Sequence, residues 1–196
     1  MVTAIFGGTF NPFHIGHYEM LSSLNNLPFV DRVLLLPDKI PPHKECDFLA
    51  SDTDRIEMCR IVGEKFTKTE LCLIEFERTG KSYTFDTLTE LKKLYKDDSF
   101  LLVCGADMVT SFKAWYKWED ILKLCGLLCF DRKGEKGFLK AIEDLRRLGA
   151  DITVLNDSIT DVSSTELRKA IKTEKAQKLI PKEVYSFIIE KGLYLE

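Results

Sequence analysis

Short apolar runs alternate with longer amphipathic stretches from one end of this chain to the other. The runs at residues 2–6, 32–36, 71–75, 100–104, 127–130 and 152–155 have the length and composition of buried strands. Between them lie patterns of helical period. Ile56, Cys59 and Val62 recur within 51–64, behind Ser51 as an N-cap; Leu88, Leu91 and Leu94 recur within 84–94, and Leu139, Ile142 and Leu145 within 138–148. A closing helix is predicted from Pro181 at the N1 position, through Val184, Phe187 and Ile188 on one face, to Gly192 as the C′ residue.

Strands alternating with helices are what a parallel sheet with crossover helices produces, so the predicted class is α/β with a doubly wound, mostly parallel sheet. The polar stretches at 37–47 and 132–137 are of loop length rather than linker length. Residues 1–196 therefore read as a single domain, with the helical segment at about 163–192 packed on it. In an open parallel sheet, ligands bind beyond the carboxyl ends of the strands where the strand order reverses. Gly7-Gly8-Thr9-Phe10, Pro37-Asp38-Lys39, Gly105-Ala106-Asp107, Asp131-Arg132 and Ser163-Ser164-Thr165 all follow predicted strands, which collects the unusual polar clusters on one rim.

Composition then narrows the ligand. The 196 residues are 45% hydrophobic and 30% charged, which suits a chain that buries a continuous core. A formal net charge of -3 provides no basic field for a long polyanion, so nucleic acid is disfavoured, while a small anion stays compatible with a local basic cluster. The six cysteines, Cys46, Cys59, Cys72, Cys104, Cys125 and Cys129, form no C-x-x-C pair and lie mostly among apolar neighbours, as core thiols in a reducing compartment do. The first residues lack the basic region of a signal peptide, and no apolar stretch approaches the roughly 18 residues that span a bilayer. A cytoplasmic protein without membrane contact is expected, and a homo-oligomer is left open.

The segment Gly7-Gly8-Thr9-Phe10-Asn11-Pro12-Phe13-His14-Ile15-Gly16-His17 leaves the first strand and opens the first helix. Glycines at such a turn let the backbone approach a phosphate, and the helix start supplies N–H donors with partial positive charge. His14 and His17, three residues apart, project on one side of a helix and can donate to phosphate oxygens. A two-histidine zinc site is the competing chemistry, but no third ligand stands at a characteristic spacing. Near the other end, Val162-Ser163-Ser164-Thr165-Glu166-Leu167-Arg168 places three hydroxyls at a helix start with Arg168 about one turn on, an anion cradle suited to pyrophosphate. Ser163 and Glu166 also have the spacing of an ordinary capping box.

The first of these segments resembles the G-T-F-x-P-x-H-x-G-H signature of the nucleotidylyltransferase superfamily, and the second its I-S-S-T-x-[IL]-R element, with Val162 in place of the usual Ile. The resemblance implies a Rossmann-like nucleotidylyltransferase fold and attack at an α-phosphorus, with His14 stabilising charge on the α-phosphate and His17 acting near the triphosphate. Pro41-Pro42-His43-Lys44, Gly80-Lys81-Ser82-Tyr83-Thr84-Phe85-Asp86-Thr87, Gly105-Ala106-Asp107, Trp115-Tyr116-Lys117-Trp118 and the ending Pro181-x-x-Val184 with Gly192-Leu193-Tyr194 are similar, in order, to elements of the nicotinate-nucleotide adenylyltransferase family. Trp115 offers a flat face to a pyridine ring, Tyr83-Thr84 and the backbone near Tyr116 offer donors to a carboxylate, and Lys44 offers charge beside a phosphate. Asp107 reads as a nucleotide contact, with helix capping as a compatible second role, and Trp118 reads as a core aromatic.

Three other patterns carry no chemistry. Gly80-Lys81-Ser82 would end a Walker A loop only with Gly at position 75, where the chain has Glu75. Asn156-Asp157-Ser158 matches a glycosylation acceptor that has no consequence in a cytoplasmic chain, and Lys133-Gly134-Glu135-Lys136 is a solvated loop beside Arg132, itself a candidate phosphate contact. The resemblance implies ATP and nicotinate mononucleotide as partners. No acidic cluster dedicated to a metal is evident, so Mg2+ is expected to arrive with ATP.

Overall fold

Side chains on successive strand residues point to opposite faces, and here both faces are covered. In the computed structural model, which describes residues 1–39, 49–131 and 136–195, β1 (Val2–Gly8), β2 (Arg32–Pro37), β3 (Thr69–Leu71), β4 (Ser99–Gly105), β5 (Gly126–Phe130) and β6 (Ile152–Leu155) form one parallel sheet in the order β3-β2-β1-β4-β5-β6. Ala4, Phe6, Val33, Leu35, Val103, Leu128 and Phe130 enter one apolar cluster, while Ile5, Leu34, Leu36, Leu102, Cys104, Leu127 and Cys129 enter the other. Burial on both sides explains why the strands appear in the sequence as apolar runs rather than as alternating patterns.

The first cluster is closed by α1 (Ile15–Asn26), α2 (Asp52–Gly63) and the C-terminal helices α7 (Ser164–Lys169), α8 (Glu174–Leu179) and α9 (Lys182–Lys191), through residues such as Leu24, Met58, Leu167, Ala176 and Ile188. The second is closed by α3 (Thr84–Leu94), α4 (Ala106–Ser111), α5 (Trp118–Leu124) and α6 (Phe138–Arg147), through Leu88, Val109, Ile121 and Ile142. Cys59, Cys104, Cys125 and Cys129 are buried, and burial pushes the thiols of Cys125 and Cys129 up to about 12, so these side chains pack as apolar groups.

Three details depart from the sequence reading. The run expected as a strand at 71–75 pairs with β2 only over Thr69–Leu71, after which Ile74–Glu77 winds into a 3-10 turn. β2 ends at Pro37, which has no N–H with which to extend a ladder, so the edge strand loses its template. On α2 the buried side is Arg55, Met58, Cys59 and Val62, so the stripe begins at an arginine rather than at Ile56. Pro181 stands one position earlier than expected, as the N-cap of α9, whereas Gly192 ends that helix at φ 67° in the left-handed region, as predicted.

At the amino ends of the strands, Asp98 accepts from the Thr3 hydroxyl at 2.7 Å and pairs with Arg32, whose guanidinium lies 4.1 Å from the Tyr95 ring centre. The Thr3 hydrogen bond and then Arg32 hold the Asp98 carboxyl below its usual range. A depressed folded value means that the stabilisation is present above the unfolded carboxylate value of about 3.9 and is lost as pH falls through the folded one. Asp98→Asn should therefore lower the melting temperature by a few degrees at neutral pH, and in melts taken below about pH 4 the gap from the parent should close.

Candidate functional site

Strand order reverses between β1 and β4, which opens a crevice at their carboxyl ends. From β1 the chain turns through Phe10, at φ 46°, and a cis Asn11–Pro12 bond. Phe10 is 2% exposed, with its ring stacked on Phe13 at 5.1 Å and edge-on to His17 at 5.0 Å, so the ring is a packing group of the turn. His14 is the N-cap of α1 rather than part of it, and His17 is the third residue inside. Nδ1 of His14 accepts the His17 N–H at 3.4 Å, and Nδ1 of His17 accepts the His14 N–H at 3.3 Å. The rings stack 3.6 Å apart. With both Nδ1 atoms accepting, the hydrogen-bond pattern places the proton of each neutral ring on Nε2, which makes Nε2 the donor.

Gly16 shows why the residue between these histidines is small. A Cβ there would lie 2.8 Å from the backbone oxygen of Thr160, a contact no side chain tolerates. Thr160 in turn donates its N–H and hydroxyl to the Glu19 carboxylate at 2.6 and 2.8 Å, so the start of α1 is pressed against the segment leading into α7. Ser163 caps α7 by accepting the Glu166 N–H at 3.4 Å, Ser164 is its first residue, and the Thr165 hydroxyl accepts from Arg168 at 3.3 Å. Arg168 also donates to the Asn11 carbonyl at 2.7 Å, which joins segments 157 residues apart. The Asn11 side-chain oxygen accepts from the Tyr194 hydroxyl at 2.6 Å and from the Ala50 N–H at 3.1 Å. Burial pushes the Tyr194 phenol above its ordinary range, so it stays a donor at neutral pH.

Beside this turn lies a cleft of about 260 Å³, lined by Gly7, Gly8, Thr9, Tyr83, Thr84, Asp107, Trp115 and Tyr116 among others. Tyr83 and Tyr116 pack at 4.9 Å, and Trp115 lies against Phe112 at 5.2 Å. Gly105 ends β4, and Asp107 stands in the first turn of α4. Trp118 packs on the second core cluster, as a structural aromatic. α3 starts at the cleft with Tyr83 as its N-cap and no side-chain cap; the Tyr83 N–H donates to the Lys81 carbonyl at 3.1 Å and the Asp86 N–H to the Tyr83 carbonyl at 3.0 Å, so Thr84 and Phe85 carry the N–H groups of the first turn that helix geometry leaves without an intrahelical acceptor. Lys44 and Arg132 lie outside the described residues.

Three contributors had no role assigned from the sequence, although Asp38 stood in one of the polar clusters on the rim. Arg55 is fully buried and donates to the carbonyls of Thr9 at 3.1 Å, Asp38 at 2.6 Å and Lys39 at 3.3 Å, with Asp52 as its ion partner at 2.6 Å. It clamps the β1 turn to the loop after β2. Asp38 accepts from the Thr9 hydroxyl at 3.0 Å, and Glu75 is buried in the cleft wall, accepting from Thr87 at 2.7 Å. A lone arginine on a helix reads as solvated; the clue was its place three, four and seven residues before Met58, Cys59 and Val62.

A glycine turn and two helix-capping histidines at the switch point of a doubly wound sheet define a nucleotide-binding α/β protein of the phosphate-transfer kind. The cytidylyltransferase-like family model matches residues 5–170. A protein of Fusobacterium nucleatum, named a probable nicotinate-nucleotide adenylyltransferase, is 36% identical over 93% of this chain and 98% of its own length. The nicotinate-nucleotide adenylyltransferase of Bacillus subtilis is 35% identical over 97% of this chain and 96% of its own. Among solved structures, Plasmodium falciparum nicotinic acid mononucleotide adenylyltransferase complexed with NaAD superposes with a TM-score of 0.81 at 22% identity, covering 100% of this chain and 99% of that one. The chain thus belongs to the cytidylyltransferase-like family and, within it, to the nicotinate-nucleotide adenylyltransferases.

Proposed function

We propose that this chain, acting as one nucleotidylyltransferase domain, transfers AMP from ATP to the 5′-phosphate of nicotinate mononucleotide, giving nicotinate adenine dinucleotide and pyrophosphate in NAD biosynthesis. The observation that carries the reading is the 2.7 Å bond from Arg168 to the Asn11 carbonyl, which brings the hydroxyls of residues 163–165 to the turn that bears His14 and His17. The named function of relatives that span nearly the whole chain supports it.

An acceptor phosphate oxygen attacks the α-phosphorus in line, and the bond to the β-phosphate bridging oxygen breaks. The nucleophile is already ionised at neutral pH, so no general base is required, and catalysis rests on alignment and on charge stabilisation. Gly7, Gly8, Thr9, the backbone of Phe10, Gly105 and Asp107 hold the nucleotide. The Nε2 donors of His14 and His17 meet charge on the α-phosphate and the rest of the triphosphate, while Ser163, Ser164, Thr165 and Arg168 receive the departing pyrophosphate. Trp115 covers the pyridine ring, and the Thr84 N–H beside Tyr83 and the backbone near Tyr116 take its carboxylate. Lys44 and Arg132 are assigned to phosphates. Magnesium carried in by ATP adds charge neutralisation, and among the described residues no group of three or more His, Cys, Asp or Glu side chains is placed to hold it alone.

No helix among the described residues is long and apolar enough to cross a membrane, and a cytoplasmic location fits this metabolic role. The test is pyrophosphate release from ATP with nicotinate mononucleotide, nicotinamide mononucleotide and pantetheine phosphate in parallel. The first should give the highest kcat/KM. Equal turnover of pantetheine phosphate, or ATP binding without release on any acceptor, would overturn the assignment.

A further inference from the structure

The cleft presents an unusual combination. Its described lining holds three carboxylates, Asp38, Glu75 and Asp107, and three large aromatic rings, Tyr83, Trp115 and Tyr116, yet no lysine, arginine or histidine. Lys117, outside that lining, packs its ammonium 4.2 Å from the centre of the Phe85 ring and 5.3 Å from that of Tyr116, which leaves Tyr83 and Trp115 as the rings without a cation among the described residues. Aromatic faces bordered by acidic groups are the arrangement that recognises organic cations, because ring quadrupole and carboxylate attract the same charge.

Glu75 is the carboxylate whose burial most needs explaining. It is 5% exposed; Oε1 accepts from Thr87, and Oε2 is buried without a hydrogen-bond partner. Arg78 lies 4.0 Å from Glu75 but 3.3 Å from Glu90, so one guanidinium serves two carboxylates, and the nearby Lys39 ammonium is spent on the carbonyls of Phe76 and Arg78. A buried charge left short of partners costs stability unless something else compensates it, and a ligand is the compensating group in a cleft.

We propose that Glu75 is a specificity-determining residue that makes the acceptor cleft select a quaternary pyridinium, a permanently cationic aromatic ring, over an uncharged ring of similar outline. This rests on the adenylyl-transfer reading and adds what the cleft measures in the ring. The ring carboxylate is taken by the uncapped start of α3, so the two charges of the zwitterionic ring meet different walls.

The test compares nicotinate mononucleotide with its 1,4-dihydropyridine form, which has the same ribose phosphate and carboxylate but a neutral ring. Pyrophosphate release is measured for each with the parent protein and with Glu75→Gln, which keeps the volume and an acceptor for Thr87. The parent should favour the pyridinium by about tenfold or more in kcat/KM, chiefly through KM, and Glu75→Gln should erase most of that preference while leaving KM for ATP unchanged. A preference that survives in Glu75→Gln overturns the proposal, and so does a parent protein that treats the two acceptors alike, which decides the matter even if the variant fails to fold. Silence with both acceptors would instead bring down the underlying reaction, and this inference with it.

Discussion

His17→Ala should lose about two to three orders of magnitude in kcat for pyrophosphate release, because removing one preorganised donor to a developing charge typically costs that much. The same substitution removes the acceptor of the His14 N–H and the ring stacked 3.6 Å from His14, so α1 loses half of its reciprocal cap. Loss of a cap costs about 0.5–2 kcal/mol of stability, too little to account for the activity. His17→Gln separates the contributions. Glutamine three residues after an N-cap is a normal reciprocal partner, so the melting temperature should recover toward the parent's while turnover stays low. If His17→Gln restored both equally, the ring would be a structural cap and no more.

Arg55→Met should have the largest effect on stability, a loss of about 3–5 kcal/mol, because it strips the donor from three backbone carbonyls inside the protein. The ion pair with Asp52 is a minor part of this, since that carboxylate is 47% exposed and solvent screens it. For a chain of this size the loss corresponds to a drop in melting temperature of roughly ten degrees or more. Arg55→Lys should recover little, because a single ammonium cannot span acceptors that the guanidinium reaches through two separate nitrogens. The clamp also fixes Thr9 and Asp38 at the cleft, so KM values in Arg55→Lys should rise even where the fold survives. A Lys variant with parental melting and parental KM would show that backbone packing alone holds the turn.

The fold was legible because burial on both faces writes each strand as an uninterrupted apolar run, and β6 and α3 fall where residues 152–155 and 84–94 predict them. The 71–75 run misled because apolar content records burial, and Ile74 is buried whether it pairs or turns. The polar rim was readable for a different reason: glycine pairs, histidines and consecutive hydroxyls are rare in strand-to-helix turns unless something demands them. Arg55 and Glu75 escaped because a charged residue is written alike whether it faces water or the interior; Glu75 stood in the sequence only as the end of the 71–75 run and as the residue that spoiled a Walker A match. Asn11 escaped because its partners, Ala50, Arg168 and Tyr194, are distant in the chain and no local spacing announces them.

That last convergence bears on how the protein comes to be made. The Tyr194 hydroxyl that bonds the Asn11 side chain is translated 183 positions after it. A nascent chain therefore lacks this contact of its nucleotide turn until those 183 further residues have been added.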